Sequence, residues 1–326
     1  MAEIRELYLK DFRLFRERRF SFGEGINVIY GGNGAGKTSL LESIYLLNYG
    51  KSFRAKRVED IAFGKDFYVS AKISRVDGFF DIETEFNFKG MKKRINRKLV
   101  KFSDIVKTFF SVYVSSDRVF DFFKVKKERR RWIDFFSAGV DNLYINYLLN
   151  YNKSLRNKNE FLKKGKKDSD LFDVWTEQLR IFGAKIRERR EVLVSDLNEI
   201  LKERGVRIIL QKRDLSFGYE EELKRKRVLS GPHLDNVLVN FAGRDVYIYG
   251  SKGIWKIVFF YILDAYINVF EKRRGEKPLL MLDDFDSDLD SGNLLKSINL
   301  FKTQTFLTFV SEGFRKSIKK YNLVEV

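Results

Sequence analysis

The chain of 326 residues contains no cysteine, two prolines and a single histidine, His233. Without cysteine the protein forms neither a disulfide nor a thiolate metal site, and one histidine argues against a histidine-ligated metal cluster or a Ser/His/Asp triad. No run of eighteen apolar residues occurs, and the N-terminal MAEIRELYLKDF carries charges where a signal peptide needs an apolar core. We therefore expect a cytoplasmic protein with no membrane association.

Acidic residues are in deficit, since 45 Asp and Glu accompany 63 Lys and Arg and leave a net charge of +18. An excess of this size predicts a polyanionic partner such as nucleic acid. A solvated, thermostable surface is the alternative, although thermophilic composition enriches both signs of charge. Residues 116–227 hold 28 basic and 19 acidic side chains, which is half of the excess. We expect the middle of the chain to be its more electropositive part.

Two basic segments are candidate DNA contacts. The stretch KGMKKRINRKLVK, residues 89–101, predicts a hairpin that projects a basic ribbon, although an edge strand protected by lysines has the same pattern. The second segment, KKERRRWIDFF, has a helical period, and its three consecutive arginines cannot share one helix face, so we expect one of them to be structural. The candidate DNA-binding residues are Lys92, Lys93, Arg94, Arg97, Lys98, Arg129 and Arg130.

The hydrophobic period changes twice along the chain. Strand and turn patterns dominate residues 1–115, apart from one helix over Lys37–Leu47. From residue 116 to about 204 the period is helical and includes an antiparallel helical hairpin. Strands then return, with a helix from about Gly253 to Phe270 and the apolar strand PLLMLDDF. We predict an α/β protein in which a head with a mixed sheet, residues 1–115 and 228–326, carries an inserted, mainly helical and basic lobe, residues 116–227.

The segment GGNGAGKTS has the spacing GxxxxGK[ST] of a P-loop and stands between an apolar strand and a helix. Its glycines let backbone N–H groups turn inward around phosphate oxygens at the positive end of the helix. Lys37 is expected to reach the β- and γ-phosphates of ATP, and Thr38 to bind Mg²⁺. The predicted nucleotide-binding residues are Gly31, Gly32, Asn33, Gly34, Ala35, Gly36, Lys37, Thr38 and Ser39.

Two later motifs can complete a nucleotide site. In LLMLDDFDSDLD, Asp283 is expected to hold Mg²⁺ through water and Asp284 to orient or deprotonate the attacking water. A buried strand that leads into an acidic capping turn is the structural alternative. Upstream, YGSKGIWK begins a helix with Ser251, Lys252 and Gly253, whose hydroxyl and free N–H groups can face an anion.

The order of these motifs resembles the ATP-binding cassette ATPases, with Ser251–Gly253 as the signature motif and Ser287, Asp288, Leu289 and Asp290 as the D-loop. KDFRLF, NGAGKTSLLESIYLL, GKSFRAKR, KKERRRWIDFF and SGPHLDNV, taken with LLMLDDFDSDLD, resemble the bacterial RecF family over nearly the whole chain. The resemblance implies an ABC-type P-loop ATPase head (lobe I) with an inserted helical lobe (lobe II). It also implies an ATP-dependent homodimer in which each nucleotide is closed by the partner's signature motif.

The same resemblance implies a weak, DNA-dependent ATPase that serves DNA replication, recombination and repair, including the SOS response. The DNA would be gapped or would contain a junction of single and double strands, and RecO- and RecR-type proteins would be partners. The alternative is a scaffold for such partners that keeps ATP as a structural ligand with negligible turnover.

The sequence departs from the cassette pattern at several positions. Ile254 and Trp255 replace the polar residues that usually follow the signature serine, and Thr308 stands where transporter cassettes have a histidine. No glutamine can be assigned to the Q-loop, a place that VSSDRV is expected to take. His233 is expected to be a turn or core residue rather than a catalytic one. We therefore expect slow hydrolysis.

Overall fold

The computed structural model of the protein describes residues 2–165, 169–213, 219–284, 298–309 and 321–326. Contacts divide the chain into unit 1, Met1–Val119 with Phe270–Val326, and unit 2, Phe120–Val269. The helices and strands are, in chain order, β1 (Glu3–Phe12), β2 (Phe15–Ser21), β3 (Ile26–Tyr30), α1 (Lys37–Tyr49), β4 (Phe67–Arg75), β5 (Gly78–Asn87), β6 (Gly90–Ile95), β7 (Lys98–Leu99), α2 (Phe102–Thr108), β8 (Ser111–Ser115), α3 (Ser116–Lys124), α4 (Lys126–Val140), α5 (Tyr144–Lys164), α6 (Ser169–Leu201), β9 (Val206–Gln211), α7 (Tyr219–Arg225), β10 (Asn236–Phe241), β11 (Arg244–Asp245), α8 (Val246–Tyr249), α9 (Lys252–Arg274), β12 (Leu279–Asp283), β13 (Thr305–Thr308) and β14 (Asn322–Glu325).

Unit 1 contains two sheets. Five parallel strands form one sheet in the order β14-β3-β13-β12-β8, and six antiparallel strands form the other in the order β2-β1-β4-β5-β6-β7. Every residue of β12 is buried, as expected for a parallel strand that is covered on both faces. The predicted α/β class is confirmed, with the parallel and the antiparallel strands in separate sheets.

Helix α1 lies in the core between these sheets. Apolar residues of α1, of β4 in the antiparallel sheet and of β12 in the parallel sheet belong to one buried cluster. Strand β4 alternates buried and more exposed positions, so that one face of its sheet packs inward. Helix α1 begins directly after the predicted P-loop and ends at Gly50, whose left-handed backbone lets its N–H donate to the Leu46 carbonyl.

Lys93 joins the antiparallel sheet to the end of α1. Strand alternation turns Lys93 toward the core, while Lys92 beside it stays exposed. The Lys93 ammonium donates hydrogen bonds to the carbonyls of Leu46 and Leu47, at 3.2 and 3.0 Å. These groups form the negative end of the helix dipole. Burial lowers the pKa of Lys93 to about 8, so its charge is costly even in this place.

Unit 2 combines a helical hairpin with a small sheet. Helices α5 and α6 pack against each other, and the antiparallel strands β11, β10 and β9 form a three-stranded sheet. Residues 228–269, which the sequence analysis assigned to the head, belong to unit 2, because β10 pairs with β9 along six residues. The first boundary lies close to the predicted one. The assignment of residues 1–115 and 228–326 to a functional ATPase head stays a prediction.

One largely buried ion pair joins α6 to α4 in unit 2, and another joins α6 to the residue before β10. Arg190 of α6 contacts Asp134 of α4 at 2.7 Å and donates to the Pro232 carbonyl, while Arg187 contacts Asp235 at 2.7 Å. The two arginines and the two aspartates are charged, and burying a charge costs free energy unless an opposite charge lies beside it. Here each of the four has such a partner. The arginines of the α6 sequence KIRERR are therefore structural at two positions.

Helix α9 is the one helix in the described part of the chain that is long and apolar enough to cross a membrane by length and composition. Of its most apolar window, 67% is buried inside the protein, as in the core helix of a globular fold. Its apolar character is therefore accounted for by packing.

We expect the free energy of unfolding to depend on pH through Lys93. The folded-state pKa of about 8 lies below the ordinary value of 10.5, so the unfolded chain binds more protons between these values. Raising the pH from 7.5 to 9.5 should therefore stabilise the parent relative to Lys93→Met by about 1–2 kcal/mol. Urea unfolding across this range measures the difference. Lys92→Met, at the exposed neighbour, should run parallel to the parent, and parallel profiles for Lys93→Met would contradict the assignment.

Candidate functional site

The P-loop connects β3 to α1 and leaves its central residues exposed. Gly32, Asn33 and Gly34 lie at the surface. Gly36 caps α1 with φ 111°, and a Cβ atom there would lie 2.6 Å from the ring of Phe15, so only glycine fits. The exposed loop therefore leads directly into the N-terminal end of α1. Free backbone N–H groups at the start of a helix are an arrangement that binds phosphate.

The Lys37 side chain is folded back under this loop. It is 8% exposed, and its ammonium donates to the carbonyls of Gly31 and Gly32 at 2.8 and 3.1 Å. Two neutral carbonyls are the described acceptors of this buried ammonium. A phosphate oxygen in the loop would offer it a charged acceptor, which forms a stronger hydrogen bond. Lys37 is thus placed for the predicted contact with the nucleotide.

The parallel register brings the second motif to the P-loop. Strand β12 pairs with β8 on one side and with β13 on the other, and β13 pairs with β3, which leads into the loop. The carboxyl ends of these strands therefore meet at one edge, where ligands bind in open α/β sheets. At that edge Asp283 is 3% exposed and ends β12.

Three hydroxyl groups donate to the Asp283 carboxylate. Thr38 and Thr308 donate to Oδ1 at 3.2 and 2.7 Å, and Tyr113 donates to Oδ2 at 2.9 Å. Burial, followed by the charge of Asp283, raises the pKa of Tyr113, so the phenol stays protonated and remains a donor. Among the described residues, no lysine or arginine forms an ion pair with Asp283.

A buried carboxylate without a positive partner fits a place for a cation. The Thr38 hydroxyl and the Asp283 carboxylate are hard oxygen ligands that lie 3.2 Å apart, and Mg²⁺ prefers such ligands together with phosphate oxygens and water. Within the described ranges there is no cluster of three His, Cys, Asp or Glu side chains that would bind a metal without the nucleotide. The Thr38 hydroxyl and the Asp283 carboxylate therefore fit a magnesium ion as oxygen ligands.

Asp284 has an unusual backbone that two hydrogen bonds hold. Its φ is 54°, in the left-handed region. Its N–H donates to Thr308 Oγ1 at 3.0 Å, and its carbonyl accepts from Ser116 Oγ at 2.7 Å. Thr308 therefore bridges the two aspartates, with its oxygen on the Asp284 N–H and its proton on Asp283. The side chain of Asp284 is exposed.

Glu42 anchors α1 to the segments before and after it. Its side chain is fully buried, and Arg13 binds both carboxylate oxygens at 2.6 and 2.8 Å. Ser52 and Arg54, from the segment that follows α1, also donate to it. Burial alone raises the pKa of Glu42, but the hydrogen bonds from Arg13, Ser52 and Arg54 outweigh it and lower that pKa. Glu42 thus binds the segments that contain Arg13 and Arg54 to the helix that follows the P-loop.

The signature residues lie in unit 2, whereas the P-loop lies in unit 1. Ser251 and Lys252 are exposed, and Ser251 Oγ accepts a hydrogen bond from the Ile254 N–H at 3.3 Å as the N-cap of α9. Trp255 points inward, since its indole N–H donates to the Val246 carbonyl and its ring stacks on Phe123. Trp255, which replaces a polar residue of the cassette pattern, therefore packs in the interior of unit 2 beneath the start of α9. The predicted D-loop, Ser287–Asp290, lies outside the described residues.

The candidate DNA-binding residues have different surroundings. Lys92, Arg97 and Lys98 are exposed, but Arg94 contacts Glu85 at 2.9 Å and Lys92 faces Glu85 across the strands. Lys93 and Arg129 are buried, with Arg129 donating to the Phe123 carbonyl. Their ammonium and guanidinium groups are therefore not presented to a phosphate. Successive side chains of β6 point to opposite faces of the sheet, so Lys93 lies on the other face from Lys92 and Arg94. Counting the basic residues in the sequence does not reveal this.

Arg130 and His233 also have internal partners. Arg130, partly exposed, donates to the Asp235 carbonyl at 2.8 Å, so two of the three consecutive arginines, and not one, make structural contacts. His233 Nδ1 lies 2.6 Å from the Tyr151 hydroxyl. Burial lowers the pKa of His233 to about 4, so the imidazole is neutral at physiological pH. Its place in the interior of unit 2 agrees with a structural residue.

Known proteins resemble the chain over nearly its whole length. The family model of the RecF/RecN/SMC N terminal domain matches residues 3–318. The DNA replication and repair protein RecF of Carboxydothermus hydrogenoformans is 32% identical over 339 residues, which cover 98% of this chain and 96% of that protein. Two solved structures of the recombination mediator protein RecF in the RecFOR pathway, RecF-ATPrS and RecF-ATP, are similar with TM-scores of 0.83 and 0.80. They are 27% and 28% identical and cover 96% and 95% of this chain, and 94% and 92% of their own. The predicted ABC-type ATPase head fold is confirmed.

We expect Glu42→Gln to lower the free energy of unfolding by about 2–3 kcal/mol. The change leaves Arg13 and Arg54 without a counter-charge, although their partial exposure makes the loss smaller than the roughly 3–5 kcal/mol typical of a fully buried pair. Chemical denaturation at pH 7 measures it. Glu24→Gln, which removes an exposed partner of Arg5, is the control and should change stability by less than about 0.5 kcal/mol. Equal effects of the two substitutions would contradict the anchoring role.

Proposed function

The chain belongs to the RecF family of the RecF/RecN/SMC proteins, and on that premise we propose that it is a DNA-repair ATPase whose nucleotide state controls dimerisation on DNA. ATP binding would drive two heads together on DNA, and slow hydrolysis would release them. The process would support recombinational repair of gapped DNA. The observation that carries the proposal is the half-site formed by Lys37, Thr38 and Asp283 at one sheet edge.

The nucleotide would bind in the following way. Its phosphates would take the place of the Gly31 and Gly32 carbonyls at the Lys37 ammonium. Thr38 and Asp283 would hold Mg²⁺, which when bound neutralises charge on the phosphates. Asp284, fixed by Thr308 and Ser116, would orient or deprotonate the attacking water.

A second copy of the chain would supply what this half-site lacks. The exposed Ser251 hydroxyl and the N-terminal N–H groups of α9 form an anion-binding end of a long helix. We propose that Ser251, Lys252 and Gly253 contact the γ-phosphate held by the other protomer. The head-to-head homodimer would then contain two composite sites.

DNA is the proposed macromolecular partner. The net charge of +18 supports phosphate binding, and the exposed cations Lys92, Arg97 and Lys98 are the strongest of the candidate contacts. Arg94 and Arg130, which already have internal partners, are weaker candidates. By family membership we propose a preference for gapped DNA or strand junctions, RecO- and RecR-type partners, a cytoplasmic location and roles in replication, recombination and the SOS response.

We expect Ser251→Arg to abolish ATP-dependent dimerisation while ATP binding stays at the parental affinity, because a bulky cation would block the contact with the partner's nucleotide. Light scattering with and without ATP measures the dimer. Ser195→Arg adds the same side chain at an exposed position of α6 and should dimerise normally, whereas Lys37→Met should lose ATP binding. If Ser251→Arg dimerises like the parent, the composite-site proposal is wrong.

Asp284→Asn is expected to reduce single-turnover hydrolysis by about 100-fold or more, since the general base is lost. Release from DNA after ATP binding should slow in parallel. Fluorescently labelled gapped duplex, chased with unlabelled DNA, gives the release rate. The alternative is a scaffold for RecO- and RecR-type proteins that binds ATP with negligible turnover, and the lack of a glutamine assignable to the Q-loop favours it. Unchanged DNA release in Asp284→Asn would support that scaffold and exclude hydrolysis as the switch.

A further inference from the structure

Tyr113 contacts the nucleotide half-site but has no part in the motifs that the sequence presents. It lies in β8, opposite Met281 of the neighbouring strand β12, and its side chain is 6% exposed. Its hydroxyl reaches along the sheet edge to Asp283 Oδ2 at 2.9 Å. Within the part of the chain that the structure describes, this hydroxyl is the one donor to that oxygen.

Three neighbouring side chains contact the Tyr113 ring. Phe53 stacks on it with a centroid distance of 3.7 Å and an interplanar angle of 15°. The Arg118 guanidinium lies 4.8 Å from the ring centroid, within cation–π range, and Tyr45 packs edge-on at 6.2 Å. The ring cannot turn without displacing these groups. The position of the hydroxyl is therefore set by packing and does not depend on its bond to Asp283.

The two carboxylate oxygens of Asp283 accept hydrogen bonds from different donors. Oδ1 accepts from Thr38 and Thr308 and faces the hydroxyl that would bind the metal, whereas Oδ2 accepts from Tyr113. The terminal torsion of an aspartate is broad, so hydrogen bonds must fix its orientation. If Thr38 bound a metal ion, Oδ1 would keep the bond from Thr308, and the bond from Tyr113 to Oδ2 would hold the carboxylate from the other side.

We propose that Tyr113 is a positioning residue that holds the Asp283 carboxylate with Oδ1 directed to the magnesium site. The inference rests on the proposed binding of Mg²⁺ with ATP and adds a residue to that site. Residues that hydrogen-bond to a metal ligand orient it in this manner, and their loss typically costs about 10–100-fold in metal affinity or activity.

Tyr113→Phe removes the hydroxyl and keeps the ring in its stack. Tyr45→Phe is the matched control, because it removes a hydroxyl from the same aromatic cluster with no described hydrogen bond to Asp283. The affinity for the fluorescent analogue mant-ATP is titrated in EDTA and at increasing Mg²⁺, and hydrolysis is followed over the same Mg²⁺ series. Thermal unfolding verifies that both variants are folded.

In EDTA we expect Tyr113→Phe to bind mant-ATP like the parent. It should need about tenfold more Mg²⁺ for half-maximal tightening of binding and for half-maximal hydrolysis, with Tyr45→Phe unchanged. Mg²⁺ curves that coincide for Tyr113→Phe and the parent would overturn the positioning role, as would an equal shift in Tyr45→Phe. If the parent itself binds no mant-ATP, or binds it equally with and without Mg²⁺, the proposed function fails instead.

Discussion

The parallel pairing of β12 between β8 and β13 is the constraint on which the candidate site depends. Each of these strands ends at the same edge, and each delivers one group: Tyr113 from β8, Asp283 from β12 and Thr308 from β13. Backbone hydrogen bonds fix the register, so the distances between these side chains do not rely on loop geometry. A shift of β12 by one residue would turn Asp283 to the other face of the sheet.

Helix α1 has to stay aligned with that edge, and two buried charged groups, one within the helix and one at its C-terminal end, hold it there. Glu42 near its N-terminal half binds arginines from the preceding and the following segments, and Lys93 closes its C-terminal carbonyls. Both are ionisable groups in the interior of unit 1, and both cost solvation energy. Their contacts cross from one part of the chain to another, as buried polar groups that specify a single arrangement do.

The motifs themselves could be predicted from the sequence because each is a local pattern with a local cause. Glycine spacing predicts the P-loop, and an apolar run followed by two aspartates predicts β12 and its carboxylates. Tyr113, Ser116 and the pairing of Glu42 with Arg13 could not be found in this way, since the partners lie 29–170 residues away in the chain. The basic ribbon shows the opposite error, because its charges are adjacent in sequence but lie on opposite faces of β6. The sequence predicts strands at VRIILQK and DNVLVNF, but not that they pair in one sheet of unit 2.

The left-handed backbone at residue 284 also restricts which acid can stand there. Short side chains with a polar group at Cγ, those of aspartate and asparagine, tolerate positive φ, whereas longer and β-branched side chains do so at higher cost. A glutamate in this place would add a methylene group and would also favour a different backbone conformation. The backbone conformation of the residue after β12 therefore selects for a short side chain there, independently of any role that its carboxylate has.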